Sequence, residues 1–359
     1  MLAVLVAHAQ TPPPVTWEPV VEVRDRVQGD GEVGELAQRA RVGIEASRTI
    51  VSARVSFQEI RAWRMDRASV SPEGFSPDVA EAWGRVRGVL NRNIHAEATI
   101  GRQALRLHEG RLLGEDDFAM EGRFFDAFRV LGTAAPIQLE YINARRFVAG
   151  DSLGLGVNVV RAGGHHADPV TRWDADAVWL VDARRTDEVK QTGGAYVRVD
   201  SGRWRARVEA YAQPRDEGTG TLLAFSAGRV FGPNERWVVH LRGDRASGEA
   251  SGAAWTPVLG DSRRFWGLLD RYGTAAEPRG LADLHLRVES RPVPQIGADV
   301  EVHRLYSPED GGVYGHEVDG TVAWAFTPFS DLAAGAGAFV GEGGEADARF
   351  GYLELHVAF

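Results

Sequence analysis

The strongest constraint in this sequence is a side-chain period of two. Polar and apolar residues alternate through Arg39-Ala40-Arg41-Val42-Gly43-Ile44-Glu45, and again through Val51-Ser52-Ala53-Arg54-Val55-Ser56-Phe57-Gln58. The pattern returns over 203–211, 237–244, 282–289, 298–303 and 353–359. Alternation at 180° per residue makes a strand with one polar and one apolar face. No stretch keeps a 3.6-residue period over a helix's length. The chain reads as all-β.

Turns and loops alternate in length. Tight connections fall at 132–136, 200–202, 232–235, 291–294 and 327–330, while 64–77, 106–121, 247–280 and 307–312 are longer and polar. Tight turns at one rim and long loops at the other are the layout of an outer-membrane barrel. One segment, 162–173, is long although it falls on the tight-turn side. The count predicts a single transmembrane antiparallel β-barrel of roughly 18 strands, with 16 as the alternative, an even number as single-chain barrels require, and both termini periplasmic. The first strand is placed at 16–29 and the last at 348–359. Residues 1–9 read as a truncated signal peptide, with Ala7-His8-Ala9 as a small-x-small cleavage site, and 10–359 as the barrel.

Which face is buried separates a barrel from a soluble sandwich. A sandwich hides its apolar face in a core, whereas a barrel turns it to lipid and its polar face to a lumen. The polar positions here are densely ionic, and Lys190 is the only lysine, so 40 of the 41 basic residues are arginine. The apolar face is thin, largely Ala, Val, Leu and Gly, which fills a two-sheet core poorly. Val42, Ile44, Val55, Phe57, Val208, Leu241, Leu284, Leu286, Leu355 and Phe359 are therefore expected to face lipid. Arg39, Arg41, Arg54, Arg85, Arg87, Arg203, Arg205, Arg207, Arg242 and Arg287 are expected to line the pore. Glu45, Glu81, Glu209, Asp283, Glu289, Glu301 and Glu317 share those faces. Many of these arginines are expected to pair with carboxylates across strands. The expected setting is the outer membrane of a Gram-negative bacterium, with its lipid as one partner.

Several functions are excluded or disfavoured. The net charge of −9 argues against nucleic acid as a partner. The absence of cysteine excludes a disulfide scaffold, a thiol enzyme and any Cys-ligated metal. Gly163-Gly164-His165-His166-Ala167-Asp168 reads as a polar turn, since no further ligands sit at a matching spacing. His95, His240, His285, His303 and His356 fall on polar faces with no Gly-x-Ser-x-Gly element nearby. The expectation is no enzyme, no cofactor and no metal.

Several segments resemble the alginate-export family of outer-membrane barrels. Gly101-Arg102-Gln103-Ala104-Leu105 followed by Gly110-Arg111-Leu112-Leu113-Gly114 looks like that family's strand and loop. Gly122-Arg123-Phe124-Phe125-Asp126-Ala127-Phe128-Arg129-Val130 is similar to a second strand, and 242–248 with 265–270 to a loop. Gly315-His316-Glu317-Val318-Asp319 opens the penultimate hairpin in the same style. The resemblance implies a channel passing an anionic or polar saccharide through an arginine-rich lumen, working with a periplasmic export partner. The alternative is a general diffusion porin with a mixed-charge lumen, passing small polar solutes. A barrel enzyme of the outer membrane is the third reading.

Overall fold

The computed structural model describes residues 14–31, 33–65, 70–74, 77–145, 156–183, 189–261, 263–272 and 279–359. The leader expected at 1–9 lies outside them. The first half of the wall comprises β1 (Thr16–Gly29), β2 (Gly34–Arg48), β3 (Val51–Met65), β4 (Val70–Gly74), β5 (Asp78–Asn91), β6 (Ile94–Ala104), β7 (Phe124–Ala134), β8 (Ile137–Arg145) and β9 (Val157–Ala167). The second half comprises β10 (Thr171–Asp182), β11 (Lys190–Ser201), β12 (Trp204–Arg215), β13 (Gly218–Phe231), β14 (Trp237–Ala246), β15 (Leu281–Val293), β16 (Ile296–Tyr306), β17 (Val313–Thr327), β18 (Ser330–Gly341) and β19 (Ala348–Ala358).

These 19 segments form one sheet in which every strand pairing is antiparallel. Both β4 and β5 pair with β3, β4 above and β5 below a break in register, so together they act as one wall strand. The wall therefore has 18 strands. It closes where β1 pairs with β19, from Glu22 opposite Ala358 to Gly29 opposite Gly351. Closure removes every sheet edge, the requirement for a sheet in hydrocarbon.

The period of two sorts the side chains. All ten residues expected to face lipid are exposed on the outer surface, from 37% for Val55 to 63% for Phe359. Their alternating neighbours, such as Arg39, Glu209 and His303, are at most 2% exposed and point inward. Aromatic side chains gather on the outer face near the tight-turn rim, including Trp17, Trp204, Trp237, Trp324, Phe329 and Phe359. Such a girdle suits the membrane–water interface. The first described strand begins and the last one ends at this rim.

Two local expectations are corrected. The awkward segment 162–173 is mostly strand: β9 continues to Ala167, β10 begins at Thr171, and only 168–170 turn. Asp168 shapes that turn, its carboxylate accepting the backbone N–H of Val170 at 2.8 Å and of Thr171 at 2.7 Å. Those two bonds pull its carboxyl down to about 2. The second correction is larger. The long segments between β6 and β7 and between β14 and β15 do not simply cap the outer rim. Both fold into the barrel, where Leu105, Leu107, Leu112 and Leu113 of one meet Trp255, Val258, Leu259, Phe265 and Trp266 of the other. Inward wall residues Phe125, Ile142, Val159, Leu180, Tyr211 and Leu305 complete this apolar cluster. The lumen thus holds an apolar plug base in one sector and ionic wall elsewhere.

Leu286 lies seven residues before the end of β15, at mid-wall, opposite Leu241 and Val302. Leu286→Arg should destabilise the barrel by about 2–4 kcal/mol in a lipid-folding titration. An unchanged midpoint would place this face away from hydrocarbon.

Candidate functional site

The two inward segments are zipped together by their backbones. Leu113 and Leu259 form a parallel bridge. Gly114 N–H donates to the Leu259 carbonyl at 2.9 Å, Leu259 N–H to Leu112 at 3.1 Å, and Asp261 N–H to Gly110 at 2.9 Å. Glycine is needed at this crossing: a Cβ on Gly260 would lie 2.1 Å from the Arg111 carbonyl oxygen, and one on Gly114 2.2 Å from Asp261 Oδ1. Arg123 ties the crossing further, donating to the Leu259 carbonyl and, at 3.1 Å, to Asp116 Oδ2.

The wall then grips the pair. Inward side chains of β1, β2 and β3 donate to four carbonyls of a segment that has no secondary structure of its own. Arg24 reaches Asp117 O at 2.7 Å, Arg26 Phe118 O at 2.5 Å, Arg39 Met120 O at 3.1 Å and Gln58 Glu121 O at 3.1 Å. On the opposite side Gln213 exchanges two bonds with Thr256, at 2.9 and 3.0 Å. Glu317 and Asp319 accept the backbone N–H groups of Leu269 and Leu268, both at 2.9 Å. Arg111 is buried against the Phe265 ring, its guanidinium carbon 3.8 Å from the ring centre, and pairs with Asp244 at 2.6 Å and Glu209 at 3.6 Å. Burial works against its charge, but Asp244 and Glu209 outweigh it and raise its pKa.

Between loops and wall remains a cavity of about 500 Å³. Arg24, Arg26, Arg106, Arg263, Arg264 and Arg287 line it, with Asp116, Asp261, Asp299, Glu301, Asp319 and Glu354 among its acids. Arg24 and Arg26 are held at the wall by Glu354, at 3.7 and 2.5 Å.

The residues singled out in the sequence divide as follows. Arg39 and Arg41 share Glu22, Arg41 at 2.9 Å. Arg54 lies 3.2 Å from Glu81 and 4.0 Å from Glu45. Arg85 and Arg87 share Glu97, at 3.4 and 2.6 Å, with Arg87 exposed near the turn end of β5. Arg207 lies 3.3 Å from Glu209 and 3.6 Å from Glu109 of the inward segment. Arg287 reaches Glu289, Glu301 and Asp299 at 3.0, 3.2 and 3.7 Å. Asp283 and Glu317 are buried on β15 and β17. Arg205 is placed near the turn rim, 3.8 Å from Asp200. Arg203 falls outside the strand, exposed in the turn before β12. Among the described residues Arg242 has no carboxylate within ion-pair range, although it faces inward on β14. Registers place it in one row with Arg207, Ser226 and His285.

Sequence reading missed Glu22, Arg24 and Arg26 on β1 and the whole loop contribution. The β1 signal was present, since Glu22, Arg24 and Arg26 alternate with Val23 and Val27; the outward-facing Asp25 obscured it. The loop residues carried no period and could not be placed.

No family model and no curated relative matches the chain. Solved structures do. The chain is similar to OpdK from Pseudomonas aeruginosa, crystallised with vanillate, at 13% identity and a TM-score of 0.71, covering 96% of this chain and 98% of that one. It is similar to OccK2 (OpdF) from the same organism, in complex with glucuronate, at 11% identity, TM-score 0.66 and the same coverage. OccD3 (OpdP) matches at 11% identity and TM-score 0.65, over 96% of this chain and 91% of that one. The fold is thus the closed 18-strand barrel of these outer-membrane proteins. The resemblance to the alginate-export family is overturned, because the matching structures are Occ channels. The segments that suggested it are local. Gly110–Gly114 is the loop crossing, and Arg102 faces outward to Asp126 and Asp78, at 3.1 and 3.3 Å.

Glu109 couples loop to wall, 2.9 Å from Arg264 and 3.6 Å from both Arg198 and Arg207. Burial alone would raise its pKa, but Arg207, Arg264 and Arg198 together hold it below the ordinary 4.5. A depressed carboxylate contributes stability that is complete above its unfolded pKa and is lost as pH falls through the folded value. Single-channel recordings should therefore show the loop state steady from neutrality to about pH 5 and a new, noisier conductance at still lower pH. Glu109→Gln should show that noise already at neutrality. A variant indistinguishable from wild type at all pH values would deny Glu109 this role.

Proposed function

We propose that the chain is a diffusion channel of the Gram-negative outer membrane, with a mixed-charge lumen that passes small polar solutes and favours anionic ones. The observation that supports this reading is the cavity between loops and wall, where six arginines and seven carboxylates line about 500 Å³. Arginine keeps its charge at every physiological pH and offers a planar fork to carboxylates. Most of the lumen charge is paired, and paired guanidinium groups orient a solute more than they attract it. Arg242 adds a cation with no carboxylate in ion-pair range among the described residues. At an effective dielectric of about 20, a carboxylate passing roughly 7 Å away gains about 2 kcal/mol from it. That suffices for preference without trapping. The inward segments favour small solutes over a polymer, since they cross the space a chain would thread. The solutes crystallised with the similar channels, vanillate and glucuronate, belong to the same chemical class.

Liposome swelling tests the reading. Purified protein should admit gluconate and benzoate faster than neutral sugars of equal size. Arg242→Gln should slow the carboxylates several-fold and leave the neutral sugars unchanged, most clearly at low salt, where screening is least. Equal rates for charged and neutral solutes in the wild type would reject the anion preference.

A further inference from the structure

The wall at β15 to β17, three to five strands from β1 across the closing seam, carries a second cluster, distinct in chemistry from the arginines. His285 and His303 face each other across β15 and β16, and the next rung places Glu301 opposite Asp319 across β16 and β17. Both imidazoles are buried, 2% and 1% exposed, with rings stacked 4.4 Å apart. Each turns Nδ1 to the same oxygen of Asp283, His285 at 2.9 Å and His303 at 2.7 Å. A carboxylate oxygen there fixes a hydrogen on both Nδ1 atoms, so in the neutral rings the lone pair sits on Nε2. Neither Nε2 has a hydrogen-bond partner among the described residues. Both point to Glu301 Oε2, at 3.7 Å from His285 and 3.5 Å from His303, and His303 Nε2 also lies 3.7 Å from Asp319 Oδ2.

These separations are too long for hydrogen bonds. They match the spacing between ligands that share one small ion, because donors about 2.1 Å from a tetrahedral centre lie roughly 3.4 Å from one another. A carboxylate that receives the far N–H of a histidine is the usual support of a metal-bound imidazole. We propose that His285, His303 and Glu301 form a divalent transition-metal site of the zinc class, with Asp319 as fourth ligand and Asp283 orienting both rings. Two imidazoles with one or two carboxylates suit zinc over calcium or magnesium, which require mostly oxygen. Glu301 and Asp319 also line the central cavity, which supplies the entry path. Asp319 holds the Leu268 N–H, so an ion here couples to the docking of the second inward segment.

Tag-free protein folded in detergent is titrated with zinc chloride by calorimetry. One zinc should bind per chain. X-ray absorption at the zinc edge of the wild type should report two imidazoles and oxygen ligands at about 2.0–2.2 Å. His285→Gln and His303→Gln should abolish stoichiometric binding, while heat-modifiable migration shows whether the barrel still folds. Asp283→Asn, nearly isosteric, should weaken binding about 10- to 100-fold. Absence of saturable zinc binding by the wild type, or a shell without imidazole, overturns the proposal. So does binding unaltered by the His285 and His303 substitutions, which would move the ion elsewhere, for example to His165 and His166.

Discussion

The structure depends on the pairing of β1 with β19. A backbone N–H or C=O left bare in hydrocarbon costs several kcal/mol, so a sheet can cross a bilayer only when its last strand meets its first. The eight-residue register from Glu22 to Gly29 satisfies that condition. It also brings Arg24 and Arg26 against Glu354, so the seam that closes the barrel builds part of the lining of its cavity. Closure then divides every strand in two. Outward positions are released to small apolar residues, because lipid conforms to whatever it meets. Inward positions can carry charge at a density that a packed core would not accept.

Charge alone does not make a constriction. The inward loops do, and their position rests on a different interaction from the wall. Their apolar side chains pack on a sector of the lumen that is itself apolar, and their bare carbonyls are taken by arginines of β1 and β2. The same guanidinium groups thus serve two purposes. Those that spend donors on loop carbonyls or carboxylates are fixed in place, and removing one exposes a buried partner; Arg111, enclosed by Asp244 and Glu209, is the clearest case. On the proposed reading, those with fewer partners, of which Arg242 is the clearest, are the ones left to act on a passing solute.

Much of the wall was legible in the sequence because the period of two survives wherever one face must be apolar. Leu284 and Leu286 between Asp283, His285 and Arg287 could be sorted by parity alone. The legibility failed where parity was interrupted. Gly163 and Gly164 weaken the pattern of β9, so the strand end was misplaced and an ordinary three-residue turn looked like a long segment. The loops failed for a deeper reason. Leu112, Leu113, Trp255 and Leu259 are scattered among polar residues, and only the enclosing wall gives them something to pack against. Sequence could mark some of the inward arginines, though it missed Arg24 and Arg26 and misplaced Arg203, and their partners lie on other strands and on the loops, as with Arg207 and Glu109. The family resemblance failed because each matching segment was short, whereas the barrel as a whole matches Occ structures.

The central claim is that a closed, loop-narrowed barrel with a mixed-charge lumen favours anions despite an acidic chain. The reversal potential of the purified protein in a planar bilayer, under a potassium chloride gradient, tests it most directly. The account predicts a sign that corresponds to chloride preference, growing as the salt concentration is lowered and the Debye length increases. A reversal potential of the opposite sign, showing potassium preference at low salt, would contradict it.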